Sequence, residues 1–173
     1  MEPPVSLDQI AQTLRAWLRA ELGAPQLDYA APPARLSGGY ETYTYRFAVT
    51  GAPPPWDTPK VLRLYPARFG TANALWESSV QNALADASYP VPRAFRVCTD
   101  TTLLGGAFFV MELLPGTLLM HAPLGQIPGL LGRTHARLHE IDPGPLAQAL
   151  VDRGYARRRF SAQSRLDDLN RRA

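Results

Sequence analysis

Apolar residues recur at intervals of three and four in three segments, which is the spacing of an amphipathic α-helix. The first segment begins after Ser6, whose hydroxyl can cap a helix, and stops before Gly23, which can end one. The second covers residues 71–87 and the third residues 124–140, and the chain beyond Leu146 also has helical composition, in two pieces. The apolar stripes are Ile10, Leu14, Trp17, Leu18 and Leu22 in the first helix, Leu75, Trp76, Val80, Ala83 and Leu84 in the second, and Ile127, Leu130, Leu131, Thr134 and Leu138 in the third.

Alternation of aromatic or aliphatic residues with polar ones predicts β-strands after the first helix. Residues 42–49 and 60–65 predict the two strands of a hairpin. Residues 51–59 between them contain four prolines and predict a long, exposed loop, because proline has no N–H to donate to a strand ladder. The proline-containing segment 24–33 predicts a linker between the first helix and the strands.

Two further strands are predicted after the second helix, at residues 93–98 and 107–114, with a turn between them. The order of elements is therefore a helix, strands that include the hairpin, a helix, two strands and more helices. Turns or a single helix separate successive strands, which favours an antiparallel sheet with a helix packed on it over a parallel βαβ array. We expect an α+β fold with a sheet of about five strands.

Composition and charge narrow the function of this 173-residue chain. It has one cysteine, Cys98, and therefore no disulfide framework. It contains neither an apolar run of membrane length nor a signal peptide, so we expect a cytoplasmic protein with no membrane partner. The net charge of +3 arises in residues 151–173, where seven arginines and three aspartates give +4. No aromatic platform accompanies these arginines, so we expect no nucleic-acid partner.

The segment RLSGGYETYTYRF, residues 35–47, places Ser37, Gly38 and Gly39 directly before a strand. Glycines lack a Cβ and can present backbone N–H groups to phosphate oxygens at close range. The same residues can also form a plain hairpin turn, and no P-loop lysine follows them. This segment alone leaves both interpretations open.

The strand KVLRLY, residues 60–65, carries an apolar residue and a cation on one face. Alternation places Val61 and Arg63 on that face and directs Lys60 to the other. A nucleotide needs both groups, an apolar contact for its base and a positive charge for its phosphates. Glu77, beside the apolar stripe of the second helix, could pair with Arg63 and hold it in place. The alternative is that Arg63 and Glu77 are ordinary solvated residues.

Other candidate sites have fewer of the residues that their chemistry requires. His135 and His139 are one helical turn apart, but no third ligand accompanies them, so we expect no metal site. No Ser-His-Asp or Cys-His set suggests a nucleophile. The segment FFVMELLPG, residues 108–116, predicts a strand whose end could lend its backbone to an adenine, or a core strand that leads into a turn.

Taken in order, these segments resemble the N-terminal lobe of the aminoglycoside phosphotransferase and choline-kinase-like family, which has the protein-kinase-like fold. LSGGYETYTYRF resembles the loop that covers the nucleotide and the second strand, and VLRLYP resembles the third strand. WESSVQNALADASYPVPRAF is similar to the lobe helix and the segment after it. GGAFFVMELLPGTLL resembles the fifth strand and the hinge, and LLGRTHARLHEIDP the first long helix of the C-terminal lobe. The resemblance covers residues 35–143.

The resemblance implies an enzyme that uses ATP or GTP to phosphorylate a hydroxyl of a small-molecule acceptor. The nucleotide-binding residues that it implies are Ser37, Gly38, Gly39, Val61, Arg63, Glu77, Glu112, Leu113 and Leu114. The first three would lie over the phosphates. Val61 would pack on the base, and Arg63 would contact the phosphates and pair with Glu77. The last three would meet the adenine through their backbone groups.

The chain departs from the family at two places. Arg63 stands where the family has a lysine, which keeps the charge but changes the reach. The branch found fused to or near acyl-CoA dehydrogenases often reads VLR there, so the chain is most similar to that branch. The second departure concerns the catalytic loop. In the family this loop resembles His-Gly-Asp followed by Asn, and a separate metal-binding Asp lies further on. Asp152, Asp167 and Asp168 do not lie in such motifs. We therefore expect no catalytic residues, an inactive chain, and Mg²⁺ only with the missing lobe.

We expect residues 1–33 to form an N-terminal helix and linker, residues 34–116 a kinase-like N-terminal lobe, and residues 117–173 the first helices of a truncated C-terminal lobe. The chain would then be a fragment of a longer phosphotransferase. The alternatives are a stand-alone nucleotide-binding or interaction module and a degenerate, non-catalytic remnant. Because a truncated lobe exposes apolar surface, we also expect self-association through residues 127–138 and 146–151.

Overall fold

The computed structural model describes residues 4–36, 41–117 and 119–156. The chain divides into two compact units. The sheet unit comprises Met1–Ser78 and Pro92–Leu114, and the helical unit comprises Ser79–Val91 and Pro115–Ala173. None of the helices in the described ranges is long and apolar enough to cross a membrane.

Five strands form one antiparallel sheet in the order β1-β2-β3-β5-β4. The strands are β1 (Asp28–Arg35), β2 (Tyr43–Thr50), β3 (Lys60–Leu64), β4 (Ala94–Cys98) and β5 (Phe108–Glu112). The α-helices are α1 (Leu7–Leu22), α2 (Ala72–Asp86), α3 (Thr101–Leu104), α4 (Ile127–His139) and α5 (Pro143–Asp152), and 3₁₀-helices cover Ala67–Phe69, Leu119–His121 and Leu124–Gln126. This arrangement confirms the predicted α+β fold, with β3 as the central strand of the sheet.

Helix α1 covers one face of the sheet, which we call the α1 face. The Ser6 hydroxyl accepts a hydrogen bond from the N–H of Gln9 at 3.2 Å, and the helix ends at Gly23, whose φ is +59°. Of the predicted stripe, Ile10, Leu14 and Leu18 are 0% exposed, and Trp17 and Leu22 are partly buried against the same core. The main residues of this core are Ile10, Leu14, Leu18, Tyr45, Phe47, Leu62, Leu64, Phe108 and Val110. Hydrophobic burial therefore closes the α1 face within the sheet unit.

The opposite face of the sheet, which we call the Arg63 face, carries a second and smaller core. Its buried members are Val61, Tyr65, Ala74, Ala94, Ala107, Phe109 and Met111. Strand β3 pairs with β5 so that Val61 lies opposite Met111 and Arg63 lies opposite Phe109. The alternation predicted for β3 is thus observed, because Leu62 contributes to the core of the α1 face and Val61 to that of the Arg63 face.

The segment 24–33 is not the linker that its prolines predict, because β1 begins at Asp28. Pro32 and Pro33 both lie inside this strand. Strand β1 is at the edge of the sheet and pairs only with β2, and its register shifts twice along the pair. An edge strand tolerates proline because the N–H groups on its outer side have no ladder partner.

Two other segments are more regular than the sequence predicts. The predicted turn between β4 and β5 contains helix α3, which Asp100 caps by accepting a hydrogen bond from the N–H of Thr102 at 2.9 Å. In the proline-rich loop 51–59, Trp56 is only 4% exposed, and its ring centroid lies 5.7 Å from that of Phe95. A buried aromatic side chain therefore anchors this loop to the sheet unit.

Helix α2 buries only part of the predicted stripe, since Ala83 is 3% exposed and Trp76, Val80 and Leu84 are half-buried. Leu75 is 41% exposed, whereas Ala74 and Ser78, one helical turn apart, are almost fully buried. Ala74 belongs to the core of the Arg63 face. Small side chains let a helix approach a packed surface closely, so the start of α2 buries Ala74 in place of the neighbouring Leu75.

Within the helical unit, polar contacts connect the segments next to the helices. The Tyr89 hydroxyl donates to the carbonyl oxygen of Thr134 at 3.2 Å, and Arg153 Nη2 lies 3.2 Å from Asp86 Oδ2. The predicted helix 124–140 is present as a 3₁₀ turn followed by α4. Leu131 and Leu138 are 46% and 39% exposed, so the apolar stripe of α4 is not buried among the described residues.

Candidate functional site

Three side chains on the Arg63 face form a closed ring of hydrogen bonds. Arg63 Nη2 lies 2.7 Å from Glu77 Oε1, and Arg63 Nε donates to the Tyr65 hydroxyl at 3.2 Å. The Tyr65 hydroxyl donates in turn to Glu77 Oε2. The predicted ion pair between Arg63 and Glu77 is therefore present, and Tyr65 joins it.

Strand β3 and the first turns of α2 bring these side chains together. Tyr65 directly follows β3, and the period of two places it with Val61 and Arg63 on one face. Its backbone is held by a close approach, since a Cβ at Gly106 would lie 1.9 Å from the Tyr65 carbonyl oxygen. The N–H of Tyr65 also donates to the carbonyl oxygen of Ala107 at 2.8 Å. Only glycine at position 106 permits this approach.

Tyr65 is a site residue that the sequence analysis missed. The alternation in KVLRLY that places Val61 and Arg63 on one face also places Tyr65 on that face, so the sequence does indicate its position. The alternation shows which face a side chain occupies. It does not show that a hydroxyl will lie between a guanidinium and a carboxylate, which depends on where α2 packs.

Burial keeps Tyr65 in its neutral form. The residue is 3% exposed, and burial together with the hydrogen bond to Glu77 raises the pKa of its phenol. A neutral phenol has one O–H to donate and lone pairs that accept. It can therefore donate to Glu77 and accept from Arg63 at the same time, as the structure shows.

The ion pair remains open to solvent on one side. The side chains of Arg63 and Glu77 are 28% and 33% exposed. The guanidinium carbon of Arg63 lies 5.7 Å from the centroid of the Tyr65 ring, within the range of a cation–π contact. The arginine is thus held by its neighbours and is still accessible to a ligand.

Lys60 lies on the other face of β3, as its position in the alternation predicts. It is 1% exposed, and its Nζ donates to the carbonyl oxygen and to Oγ1 of Thr58, each at 2.6 Å. Its Nζ also lies 5.4 Å from the ring centroid of Phe95. Burial lowers the pKa of Lys60. A lysine enclosed in this way cannot take the place of Arg63.

A groove of about 500 Å³ lies against β1 and β2. Its described lining is Ala31, Pro32, Ala34, Arg46, Phe47, Ala48, Pro59 and Leu113. Arg46 pairs directly with Val61 across the β2–β3 ladder, which places both on the Arg63 face. Val61 is only 4% exposed and packs in the core of that face. Two predicted contacts of the base are therefore near each other, because Leu113 lines the groove and Val61 lies beside it.

Glu112, at the end of β5, is already hydrogen-bonded to the residue that precedes β4. The N–H of Glu112 donates to the carbonyl oxygen of Arg93 at 3.0 Å, and Glu112 Oε2 accepts from the N–H of Arg93 at 2.9 Å. Leu113 and Leu114 follow the strand and are 38% and 44% exposed. Among the three predicted backbone contacts, Leu113 and Leu114 are thus the more accessible, and the N–H of Glu112 is already in use.

Some predicted features fall outside the described residues. Ser37, Gly38 and Gly39 do, as do residues 157–173, which hold most of the arginine-rich segment and the end of the helical region predicted from Leu146. His135 and His139 are described, and their ring centroids are 6.4 Å apart. In the part of the chain that the structure describes, no group of three His, Cys, Asp or Glu residues could hold a metal ion.

The fold and the site together define an α+β protein whose central strand carries an arginine that is ion-paired to the next helix. Sequence comparison supplies the family. The model of the Phosphotransferase enzyme family matches residues 34–173, more than half of the chain, and the chain belongs to this family. The resemblance stated from the sequence is thereby confirmed.

Individual proteins are also similar to this chain. The chain is 34% identical over 101 residues to acyl-CoA dehydrogenase family member 11 of Gallus gallus, a match that covers 53% of this chain and 13% of that protein. The chain therefore spans about an eighth of the length of this relative. Its name contains acyl-CoA dehydrogenase, the enzyme that marks the branch predicted from the sequence. A crystal structure of a Ralstonia eutropha JMP134 protein, assigned as an aminoglycoside phosphotransferase, matches 61% of this chain and 28% of its own, with 24% identity and a TM-score of 0.46.

Proposed function

We propose that the chain is the nucleotide-binding part of a small-molecule phosphotransferase that uses ATP or GTP to phosphorylate a hydroxyl group. The observation that carries this proposal is the Arg63–Glu77 ion pair on the central strand of a member of the Phosphotransferase enzyme family. A guanidinium that is fixed by a carboxylate and still partly exposed can bind phosphate oxygens with little reorganisation.

The proposed surface combines this charge with apolar contact. Arg63 supplies the positive charge for the phosphates, and Glu77 holds it. The groove that contains Leu113 supplies apolar surface for a base beside Val61. The full set of proposed nucleotide contacts remains Ser37, Gly38, Gly39, Val61, Arg63, Glu77, Glu112, Leu113 and Leu114, with Glu112 acting through groups other than its N–H.

We propose that phosphate transfer depends on a catalytic motif that does not occur in these 173 residues. A phosphotransferase orients its acceptor with a base and holds Mg²⁺ with carboxylates. No His-Gly-Asp segment followed by Asn occurs among the 173 residues. We propose that the acceptor and the catalytic carboxylates belong to the C-terminal lobe of the family, outside this sequence, and that Mg²⁺ enters with the nucleotide.

Isothermal titration of the 173-residue chain with MgATP, and separately with MgGTP, tests nucleotide binding. We expect saturable binding that Arg63→Ala weakens about 10- to 100-fold, because a hydrogen bond to a charged group contributes about 1.5–3 kcal/mol. Arg96→Ala is the matched control. Arg96 is also a strand arginine beside a carboxylate, but its neighbour is Glu21 of α1, at 3.9 Å. No saturable binding, or equal weakening by both substitutions, would contradict the proposed site.

A second experiment tests the division between binding and transfer. The purified chain, free of other kinases, is incubated with γ-labelled ATP, Mg²⁺ and a panel of small-molecule alcohols. We expect no labelled product. Transfer of label to an alcohol would show that these residues include a catalytic group, and the proposed division would be wrong.

A further inference from the structure

We propose that Tyr65 is a positioning residue, which turns Arg63 so that the Nη1–Nη2 edge of its guanidinium is presented to the phosphates of a bound nucleotide. This inference rests on the proposed function. It assigns a role to a residue outside the predicted site and specifies which atoms of Arg63 meet the ligand.

Arg63 uses only some of its N–H groups within the ring. A guanidinium has five N–H donors in a fixed plane. The Nε–H donates to the Tyr65 hydroxyl at 3.2 Å, and one Nη2–H is directed to Glu77 Oε1 at 2.7 Å. These two donors lie on the same edge of the guanidinium. The second hydrogen of Nη2 and the adjacent hydrogen of Nη1 form the Nη1–Nη2 edge, which is the edge left for a ligand.

The Tyr65 hydroxyl stands where a carboxylate oxygen commonly binds a guanidinium. A carboxylate commonly binds both N–H groups of one guanidinium edge directly, in a fork. Here the Tyr65 hydroxyl occupies one prong, because it accepts from Arg63 Nε and donates to Glu77 Oε2. The three side chains thus form one ring, and rotation of the guanidinium would break at least one bond of that ring.

Tyr65 itself is fixed by its packing. It is 3% exposed, its ring centroid lies 6.0 Å from that of Phe109, and its backbone is held against Gly106 and Ala107. A hydroxyl on a ring that cannot move is a stable reference for the guanidinium plane. Tyr65 therefore converts the flexible side chain of Arg63 into one with a defined open edge.

This arrangement also accounts for an arginine at this position. A lysine ammonium is a point charge without edges, and it needs only a carboxylate to hold it. An arginine must also be oriented, because its planar donors bind phosphate well in only some directions. Tyr65 supplies that orientation.

A double-mutant cycle on MgATP affinity tests the proposal in the 173-residue chain. Tyr65→Phe retains the ring and removes only the hydroxyl. We expect it to weaken MgATP binding about 3- to 10-fold in the unmodified background, from the loss of one hydrogen bond that positions Arg63. In the Arg63→Lys background, which has no guanidinium edge to orient, the same substitution should change the affinity less than about 2-fold. An equal loss in both backgrounds would assign Tyr65 a merely structural role and overturn the proposal.

A spectroscopic measurement tests the orientation without any ligand and without a substitution at Tyr65. In ¹⁵N-edited NMR spectra, the Nε–H of Arg63 should exchange with water at least about 10-fold more slowly than that of Arg96, since it is held in the ring on a partly buried side chain. Disappearance of the signal in Arg63→Lys assigns it. Equal exchange rates at Arg63 and Arg96 would overturn the proposal even if Tyr65→Phe failed to fold.

The outcomes separate this inference from the function on which it rests. Absence of saturable MgATP binding to the unmodified chain overturns both. Binding that depends on Arg63, with no coupling to Tyr65, overturns the positioning role alone and leaves the proposed function in place.

Discussion

Arg63 Nη2 lies 2.7 Å from Glu77 Oε1, and the two side chains are 28% and 33% exposed. An ion pair at this level of exposure contributes only about 0–1 kcal/mol to folding, because water competes with it. Its contribution to the stability of the sheet unit is therefore small. The role that remains for the pair is to hold one cation at one place on the Arg63 face.

This reasoning predicts a separation between stability and binding in Glu77→Gln. The substitution keeps the size of the side chain and removes its charge. We expect the free energy of unfolding to fall by less than about 1 kcal/mol. We expect MgATP affinity to fall about 5- to 20-fold, because the guanidinium loses a charged hydrogen bond that holds it. Urea denaturation and isothermal titration measure the two quantities.

Asp8→Asn is a matched control for the loss of one carboxylate, because Asp8 is exposed in the first turn of α1, away from the Arg63 face. It should leave MgATP affinity unchanged. If Glu77→Gln unfolded the chain or left MgATP affinity at its original value, the pair would be a structural element and not a ligand-positioning one.

The buried phenol of Tyr65 predicts a specific loss of stability in alkaline solution. Its pKa is raised in the folded chain from an ordinary value near 10, so above that pH the unfolded chain releases its proton first. The stability that the neutral phenol contributes is therefore complete below about pH 10 and is lost as the pH rises further. The loss from this single group can reach about 1.4 kcal/mol per pH unit.

The comparison with Tyr65→Phe isolates this contribution from those of other titrating groups. Near pH 8 the variant should be about 1 kcal/mol less stable, since Arg63 and Glu77 each lose a partner. Above pH 10 the gap between the two proteins should narrow, because only the original chain carries the phenol. Chemical denaturation at intervals from pH 8 to pH 11 measures the gap, and parallel curves over the whole range would refute the assignment.

The sequence predicted the parts of this site that depend on strand periodicity. Val61 and Arg63 share a face and Lys60 lies on the other, because a period of two assigns faces without knowledge of the rest of the fold. The residues left the Arg63–Glu77 pair as one of two interpretations, and the family resemblance favoured it. Its third member, Tyr65, depends on how α2 packs on the sheet, and no local pattern contains that information.

The errors in the fold have the same origin. Strand β1 was predicted as a linker because Pro32 and Pro33 disfavour a strand, and its place at the sheet edge removes that objection. Helix α2 buries Ala74 and exposes Leu75, since the buried face is set by the fit of small side chains and not by hydrophobicity alone. Local rules therefore identified most of the elements but not β1 or α3, and tertiary packing decided the position of the edge strand and the buried face of α2.

The close approach at Gly106 predicts a large effect of a single methyl group. In Gly106→Ala the new Cβ would lie 1.9 Å from the carbonyl oxygen of Tyr65, so the backbone must shift. We expect a loss of more than about 3 kcal/mol, at or above the upper end of ordinary overpacking. Thermal and urea unfolding measure it, and MgATP affinity should fall with it because Tyr65 moves.

Gly132→Ala is the matched control for this substitution. Gly132 lies inside helix α4, and a Cβ there meets nothing within 4 Å. Alanine favours a helix interior by about 1 kcal/mol over glycine, so this variant should be slightly more stable than the original chain. Similar effects of the two substitutions would show that the approach at Gly106 is not a tight one.

The apolar stripe of α4 predicts self-association of the isolated chain. Leu131 and Leu138 lie two turns apart on α4 and are 46% and 39% exposed, and Leu124 just before the helix is 84% exposed. Burying one such side chain contributes about 1.5–3 kcal/mol, so two leucines can support a weak dimer. Sedimentation velocity should show an apparent mass that rises with concentration. Leu131→Glu with Leu138→Glu should raise the dissociation constant at least about 10-fold. Arg133→Glu, at an exposed polar position of the same helix, controls for added negative charge. A concentration-independent monomer before any substitution would contradict this prediction.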